Sequence, residues 1–381
     1  MTVLYDLGVL GAPTLDQIAE LRQAIADLLL PFKLHLGGEV SLTVPPAIFV
    51  ADEQRGAAAV FFGAPGAVAD GASALSRGGT AVIPVASSLD KLAIASEIPT
   101  TLRNLNCMGA NGGIKPIALA LLECAGLLPR QRRVFISYLR NESTEAALQL
   151  FSALSARVYE VFLDTHGVLP AEDFQSVLWH RLCDSDVLLM LDTPKYFGSR
   201  WTTAEFGRAL AKGISIVRIG WPSMTASSRI GMTHPIDLPA DDIDPVSGRL
   251  TPDAVDRICD KVEVLRGTSH AVRTLNMHSK ILQEVQSIGG SIAAVGAKGA
   301  VHLVLSDGTK LTAYPTVKAP TSSDLHKADL HAPPGPTAVI YDAVGLHPEW
   351  LVHLDWLDKK IARPGWVKIH ELGWQLAAWN R

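Results

Sequence analysis

Side chains able to act on a substrate are concentrated in the middle of the sequence, beside segments that predict strands and helices. Ser137 and Tyr138 end an apolar run, and Ser199, Trp201 and Glu205 stand close together further on. Trp201 and Glu205 are four residues apart, so a helix would place both on one face. A carboxylate fixed there could stabilise a positive charge that develops on a substrate. Glu205 is therefore the candidate catalytic group.

The elements that must position these groups are strands that alternate with helices. Apolar runs predict strands at residues 133–137, 160–163, 187–191 and 214–219. Helical patterns separate these runs, which is typical of a doubly wound parallel sheet. Ligands of such sheets bind at the carboxyl ends of the strands. Ser137 ends the first strand, Asp164 ends the second and the helix of Glu205 follows the third, so we expect them to converge on one edge.

Four runs in this region, in this order, resemble motifs of the TIR (Toll/interleukin-1 receptor) domain. They are Val134–Tyr138 (VFISY), Val161–Asp164 (VFLD), Leu182–Leu189 (LCDSDVLL) and Ser199–Glu205 (SRWTTAE). The last run matches the S-x-W-x-x-x-E segment of the family. The resemblance covers about a quarter of the chain. It implies an α/β fold in which a central flavodoxin-like parallel sheet carries helices on both faces.

The resemblance also implies an activity. Many TIR domains of bacteria and plants cleave NAD+ at the bond between nicotinamide and ribose, and Glu205 stands where that family has its glutamate. NAD+ would then be the substrate, with no cofactor and no metal, and the products would be nicotinamide and ADP-ribose or cyclic ADP-ribose. The implied context is bacterial anti-phage defence. The residues that would bind NAD+ are Ser137, Tyr138, Phe162, Asp164, Ser199 and Trp201.

Other TIR domains bind one another without catalysis, so a scaffold or adaptor is the alternative function. Both functions imply self-association through TIR domains. The candidate residues also have structural interpretations. Phe162 could fill the core, and Asp164 could cap the loop that follows it. Trp201 could anchor its helix, and Glu205 could be a solvated residue of a TIR domain that has lost its activity.

The segments on either side of this region have patterns of their own. They predict an N-terminal α/β domain at 1–130, the TIR domain at 131–235, a polar connector at 236–269 and a C-terminal α+β domain at 270–381. The first block repeats the strand–helix rhythm of the second, which raises the hypothesis of a degenerate TIR-like duplication. We expect the flanking blocks to meet an unidentified trigger or partner and to regulate the TIR domain. A further hypothesis is that the first block binds a nucleotide.

Helices and strands in the flanking blocks follow from the same patterns. Helices are predicted at 14–30, 115–128, 252–265, 270–288 and 348–360. Strands are predicted at 57–62, 80–85, 291–295, 301–305, 310–314 and 338–342. Thr14 is the expected N-cap of the first helix, because a threonine before an apolar periodic segment is a helix-start signal.

The composition bears on partners and location. The chain has 381 residues, 48% of them hydrophobic, and a formal net charge of -4. The small negative charge disfavours nucleic acid as a partner, because nucleic-acid-binding domains carry a basic excess. The four cysteines have no C-x-x-C spacing, which predicts neither a disulfide framework nor a zinc site. No secretory signal is visible, and no apolar stretch reaches the roughly 20 residues of a membrane span. We therefore expect a cytoplasmic protein without membrane contact.

Overall fold

A computed structural model describes residues 3–52, 54–127, 132–163, 174–222, 231–296, 299–361 and 363–378. The strands are β1 (Tyr5–Gly11), β2 (Val40–Thr43), β3 (Gly56–Phe62), β4 (Ala81–Ala86), β5 (Met108–Gly109), β6 (Arg133–Ser137), β7 (Glu160–Leu163), β8 (Val187–Asp192), β9 (Ser215–Gly220), β10 (His234–Asp237), β11 (Ser291–Val295), β12 (Val301–Val304), β13 (Lys310–Thr316), β14 (Thr337–Tyr341) and β15 (Gly365–Lys368). The helices are α1 (Leu15–Leu29), α2 (Asp70–Arg77), α3 (Lys91–Glu97), α4 (Ile114–Cys124), α5 (Arg140–Ala156), α6 (Phe174–Cys183), α7 (Arg200–Lys212), α8 (Pro252–Ser287), α9 (Ser322–His331), α10 (Pro348–Lys360) and α11 (Leu372–Ala377). A short 3₁₀ turn, Tyr196–Gly198, precedes α7.

The chain divides into two compact units. The first unit comprises Met1–Leu127, Ala271–Ala343 and Val352–Arg381, and the second comprises Leu128–His270 and Val344–Leu351. The boundary falls inside α8, after His270. The grouping differs from the three blocks and connector of the sequence-based division, which stays a prediction.

The sheet of the second unit has the order β10–β9–β8–β6–β7, and every neighbouring pair is parallel. Numbered within the unit, this is the 2-1-3-4-5 order of flavodoxin-like folds. The predicted fold class is confirmed, and the predicted strands lie within two residues of the observed ends. One strand was missed: β10 has little apolar signal because most of its residues are exposed.

Alternating side chains of these strands build a separate core on each face of the sheet. One face packs against α5 and the first part of α8 through a cluster that includes Val134, Ile136, Leu150 and Ile258. The other face packs against α6 and α7 through a cluster that includes Phe135, Met190 and Phe206. Burial on both faces explains the nearly continuous apolar runs of β6 and β8.

Residues 236–269, predicted as a polar connector, contribute to this core. Leu250, Ala254 and Val262 are buried in the same cluster as the strands. The prediction of two helices between 252 and 288 is wrong, because α8 runs without a break from Pro252 to Ser287. Gly267 lies inside α8, although glycine costs about 1 kcal/mol within a helix. The packing of α8 overrides that local preference.

A short segment of the second unit, Val344–Leu351, contacts the ends of two of its helices. The Cys183 thiol at the end of α6 donates to the Gly345 carbonyl at 3.0 Å. Lys212 Nζ, at the end of α7, donates to the Val344 carbonyl at 2.5 Å. The ring of Trp350 lies 4.5 Å from that of His180 in α6. The segment therefore joins α6 and α7 at their carboxyl-terminal ends.

The first sheet of the other unit repeats the topology, in the order β2–β1–β3–β4–β5 with parallel neighbours. Thr14 is the N-cap of α1 as predicted, in a capping box with Gln17. The sequence patterns missed β1 and β2. Asp6 and Gly8 interrupt the apolar run of β1, and β2 has four residues, too short for a period to show.

The C-terminal sheet has the order β11–β12–β13–β14–β15. The predicted hairpin is confirmed, since β11, β12 and β13 pair in antiparallel fashion, and β14 and β15 then add in parallel. The helix at 348–360 is confirmed residue for residue, whereas α9, β15 and α11 were not predicted. Ser76 Oγ donates to the Val295 carbonyl at 2.9 Å, which joins α2 to β11 within this unit.

Candidate active site

Three side chains meet at the carboxyl end of β6. Ser137 Oγ donates a hydrogen bond to Glu205 Oε2 and lies 2.6 Å from the Tyr196 hydroxyl oxygen. All three are buried, with Glu205 only 2% exposed. An ionised carboxylate can only accept, so the Ser137 proton belongs to the bond with Glu205 and Tyr196 must donate to Ser137. The three residues form a directed chain of hydroxyl groups that ends on one carboxylate oxygen.

The electrostatics of Tyr196 agree with this direction. Burial raises the pKa of the Tyr196 hydroxyl well above its usual value, and the negative charge of Glu205 raises it further. The phenol therefore keeps its proton at neutral pH and stays a donor. A protonated hydroxyl next to a serine that already faces a carboxylate strengthens that serine's hydrogen bond.

The start of α7 is held by local capping. Ser199 is the N-cap, and its Oγ accepts from the Trp201 amide at 3.3 Å. The Thr202 hydroxyl donates to the Tyr196 carbonyl, which ties the first turn of the helix to the preceding 3₁₀ turn. At its other end α7 stops at Gly213, whose φ of 67° suits glycine. The helix that carries Glu205 is thereby fixed at both ends.

Other predicted site residues lie elsewhere. Tyr138 is 3% exposed and belongs to the core on the opposite face of the sheet from Ser137. Phe162 stacks on Phe135, with ring centroids 5.1 Å apart. Trp201 is 39% exposed, and the Arg200 guanidinium lies over its ring at 4.5 Å. Of these, Trp201 alone presents a substantial surface to a ligand.

The expected convergence is therefore met in part. Ser137 and Glu205 are in direct contact, and Ser199 begins the helix of Glu205. Asp164 lies outside the described residues. The interpretation of Glu205 as a solvated helix residue is wrong, because its side chain is buried. The roles assigned to the individual residues stay predictions.

Tyr196 is a functional candidate that sequence reasoning missed. It lies in the segment after β8 that the patterns describe only as a loop, and nothing in a loop tyrosine indicates its partner. Its 3₁₀ turn also brings Phe197 edge-on to the Tyr196 ring, with centroids 5.2 Å apart. The tertiary contact with β6, which is distant in sequence, gives Tyr196 its place in the site.

A buried ion pair lies on the same edge of the sheet. Arg218 Nε donates to Asp192 Oδ2 at 2.6 Å, and its Nη1 donates to Asp237 Oδ1 at 2.7 Å. Asp192 ends β8, and Arg218 is 2% exposed within β9. A signal for this pair was present in the sequence, since an arginine inside an apolar strand requires a buried partner. The pair joins the end of β8 to β9, and the chain then continues from β8 into the turn that contains Tyr196.

A second charged cluster is buried in the same unit. Arg132 and Arg266 both pair with Glu263, and the Tyr159 hydroxyl donates to that carboxylate. Burial alone would raise the pKa of Glu263, but the two arginines outweigh it and lower the pKa to about 2. Because Arg132 precedes β6 and Glu263 and Arg266 lie in α8, we assign the cluster to holding α8 against the sheet.

Among the described residues, no group of three or more His, Cys, Asp or Glu side chains is arranged to hold a metal ion. No helix in the described part of the chain is both long and apolar enough to cross a membrane. The groups at the edge of the sheet are hydroxyls, an aromatic ring and a carboxylate, which suit a polar organic ligand.

Comparison with known families gives one match. The family model described as TIR domain matches residues 134–250. The match begins in β6, contains Ser137, Tyr196 and Glu205, and ends at Leu250, whose side chain is buried in the core of the second unit. No curated protein matches the chain.

Proposed function

Residues 134–250 of this chain form a TIR domain, and from that premise we propose that the protein hydrolyses NAD+ at the bond between nicotinamide and ribose. The observation that carries the proposal is the buried Glu205 carboxylate, held by Ser137 at the carboxyl edge of the sheet. Ligands of open α/β sheets bind at this edge. The proposed site keeps Ser137, Ser199 and Trp201 of the sequence analysis near Glu205, the catalytic group, and leaves out Tyr138, which lies in the opposite core.

The proposed reaction makes modest demands on the protein. Nicotinamide in NAD+ is a cationic heterocycle that leaves as a neutral molecule, so no strong general acid is required. As the bond breaks, positive charge develops on the ribose, and a fixed carboxylate stabilises it. Water then bonds to the ribose carbon, giving ADP-ribose and releasing one proton. If an adenine nitrogen of the same molecule attacks instead, the product is cyclic ADP-ribose.

Glu205 in its described position faces Ser137 rather than solvent. Because it is 2% exposed, the proposed reaction requires a rearrangement of surrounding groups that gives NAD+ access to the carboxylate. TIR domains commonly self-associate, and we propose that association of this chain, on an unidentified trigger, supplies the rearrangement. A role in bacterial anti-phage defence, in which NAD+ is consumed or a signal is made only on demand, is consistent with a covered resting site.

The experiment is a measurement of nicotinamide release by the purified full chain. Wild type is compared with Glu205→Ala, and with Glu145→Ala as a matched control in an exposed position of the same unit. Assays at several protein concentrations and with a crowding agent test dependence on association. The expected result is release by wild type and by the control but not by Glu205→Ala. Equal release by Glu205→Ala would refute the catalytic role.

The burial of Glu205 also favours a second candidate function. A carboxylate that accepts a hydrogen bond inside the core can serve as a structural group in a TIR domain that works only as a scaffold. In that case wild type releases no nicotinamide under any association condition, and Glu205→Ala lowers the stability of the unit. Sedimentation velocity at increasing concentration would then show whether the chain self-associates.

A further inference from the structure

We infer that Tyr196 is a positioning residue, which acts through Ser137 to hold the Glu205 carboxylate ionised and in one orientation. The kinetic consequence rests on the proposed function, whereas the contact geometry does not. Tyr196 is outside the S-x-W-x-x-x-E segment, and its role follows from the hydroxyl chain at the end of β6.

Tyr196 is fixed at both its backbone and its hydroxyl. Its carbonyl accepts from the Thr202 hydroxyl, and its phenol lies 2.6 Å from Ser137 Oγ. The preceding residue is also held, since the Lys195 amide donates to a Glu142 carboxylate oxygen at 3.1 Å. Tyr196 is fully buried. A side chain held in this way has little rotamer freedom left to lose when the site works.

These contacts close a ring around the start of α7. Thr202 and Glu205 are three residues apart, so they lie on neighbouring positions of one helical face. Thr202 bonds to the backbone of Tyr196, and Glu205 bonds to its hydroxyl through Ser137. The helix and the 3₁₀ turn are therefore joined at two points. The bond from Ser137 to Glu205 Oε2 closes this ring and orients the carboxylate.

The direction of the hydrogen bonds from Tyr196 through Ser137 to Glu205 also affects the ionisation of Glu205. Hydrogen bonds donated to a carboxylate favour its charged form, and a donor polarised by a second donor does so more strongly. Removing the Tyr196 hydroxyl leaves Ser137 as a weaker donor in a buried place. The protonated form of Glu205 is then favoured at higher pH than in wild type. A side chain that only filled space would not have this effect.

Charged and titratable groups on the surrounding elements have partners of their own: Asp192 pairs with Arg218, Glu142 with the Lys195 amide, Arg181 with Glu160, and Arg208 with the Trp179 ring. None of these contacts involves the Tyr196 hydroxyl. The substitution Tyr196→Phe leaves them in place, so a change in pH dependence reports the loss of that hydroxyl group.

The test compares Tyr196→Phe with Tyr159→Phe in the full chain. Tyr159 is a matched control, because its buried hydroxyl also donates to a carboxylate of the same unit, that of Glu263. Nicotinamide release is measured against NAD+ concentration and pH. We expect Tyr196→Phe to lower kcat by about tenfold or more, corresponding to the loss of one hydrogen bond to a charged network. KM should change little, the acidic limb of the pH–rate profile should move to higher pH, and Tyr159→Phe should leave that profile unchanged.

A second measurement does not depend on activity. Carbon-13 NMR of labelled glutamate carboxyl groups in the full chain follows the titration of Glu205, whose signal is assigned by its loss in Glu205→Gln. The expected result is a higher midpoint in Tyr196→Phe than in wild type. An unchanged midpoint, with or without a loss of kcat, overturns the inference and leaves Tyr196 a core residue. If wild type releases no nicotinamide, the proposed function fails, and the NMR titration alone still decides the role of Tyr196.

Discussion

The sheets β1–β5 and β6–β10 share one strand order, and each has a serine–glutamate hydrogen bond near its carboxyl edge. In the first sheet Ser87 follows β4, and its amide and hydroxyl bond to Glu97 at 2.6 and 2.5 Å. That serine is exposed and that glutamate is half-buried. In the second sheet Ser137 ends β6, and its bond to Glu205 is buried. The same pairing therefore occurs in two quite different environments.

The difference follows from position in the strand order. In a 2-1-3-4-5 sheet the order reverses between the first and third strands, and ligands bind there. Ser137 ends the strand at this switch point in the second sheet. Gly11 holds the same place in the first sheet, where an added Cβ would lie 2.1 Å from the Phe62 carbonyl oxygen and φ is +79°. The first sheet has no room for a side chain at Gly11, so equal topology does not give equal chemistry.

The largest expected effect concerns the two glutamates themselves. Glu205→Gln should lower the rate of nicotinamide release by about a thousandfold, the upper range for removing one preorganised electrostatic group. Glu97→Gln should leave the rate unchanged, because its partner Ser87 is exposed and lies away from the switch point. Single-turnover assays with radiolabelled NAD+ resolve such a range. Comparable losses in both variants would break the comparison and point to a general effect on folding.

A second contrast is between two buried carboxylates, Glu263 in the second unit and Asp6 in the first sheet. Glu263→Gln should destabilise the second unit by about 3 kcal/mol, because the pKa of Glu263 in the folded chain is about 2 against an ordinary 4.5. Asp6→Asn in the first sheet should cost about 1 kcal/mol, since Asp6 accepts from Ser41 at 2.7 Å and meets the partly exposed Arg55 at 3.4 Å. Urea unfolding with hydrogen exchange by mass spectrometry assigns each loss to a unit.

The pH dependence of Glu263 has a definite sign. Its carboxylate binds protons less readily in the folded than in the unfolded chain, so its contribution is full above about pH 4.5 and is lost as the pH falls towards 2. Glu263→Gln should therefore unfold with a flatter dependence in that window. An equal slope in wild type and variant would mean that the ion cluster with Arg132 and Arg266 does not stabilise the unit.

A third contrast is between Glu263 in the second unit and His278 in the first unit, whose effect on stability occurs at higher pH. Neither of its ring nitrogens has a hydrogen-bond partner among the described residues, and burial lowers its pKa to about 4 from 6.5. The unfolded chain takes up the proton first as pH falls below about 6.5, so stability declines until about pH 4. At pH 5 the loss should be about 2 kcal/mol relative to pH 7. His278→Leu should make the decline in stability shallower by about this amount, and His326→Gln, at an exposed position of the same unit, should leave it as in wild type.

Much of the second unit could be predicted from sequence for one physical reason. Strands buried on both faces, such as β6 and β8, give continuous apolar runs that are bounded by polar residues. Glu205 was also found from sequence, because the motif spacing places it one turn after Trp201 on a helix. Elements that lack this signal were missed, including β10, which is mostly exposed.

The missed part of the candidate site depends on contacts between distant residues. Tyr196 precedes Glu205 by nine residues but reaches it through Ser137, which is 59 positions earlier than Tyr196 in the chain. No local pattern encodes that meeting. The same holds for the cluster of Arg132 and Glu263, which are 131 positions apart. Periodicity gives the faces of helices and strands, whereas the pairing of polar groups across the core follows from how those faces pack.

The smallest expected effect tests how Glu205 becomes accessible. Gly207 lies in α7, two residues beyond Glu205, and an added Cβ there would meet nothing within 4 Å, as is also the case for Gly71 in α2. Each Gly→Ala change should stabilise its own helix by about 0.5–1 kcal/mol. If uncovering Glu205 requires α7 to loosen, Gly207→Ala should slow nicotinamide release by about two- to fivefold, the same free energy expressed as a population. Gly71→Ala should leave the rate unchanged. A Gly207→Ala protein that is more stable by thermal unfolding and yet fully active would show that Glu205 becomes accessible with α7 intact.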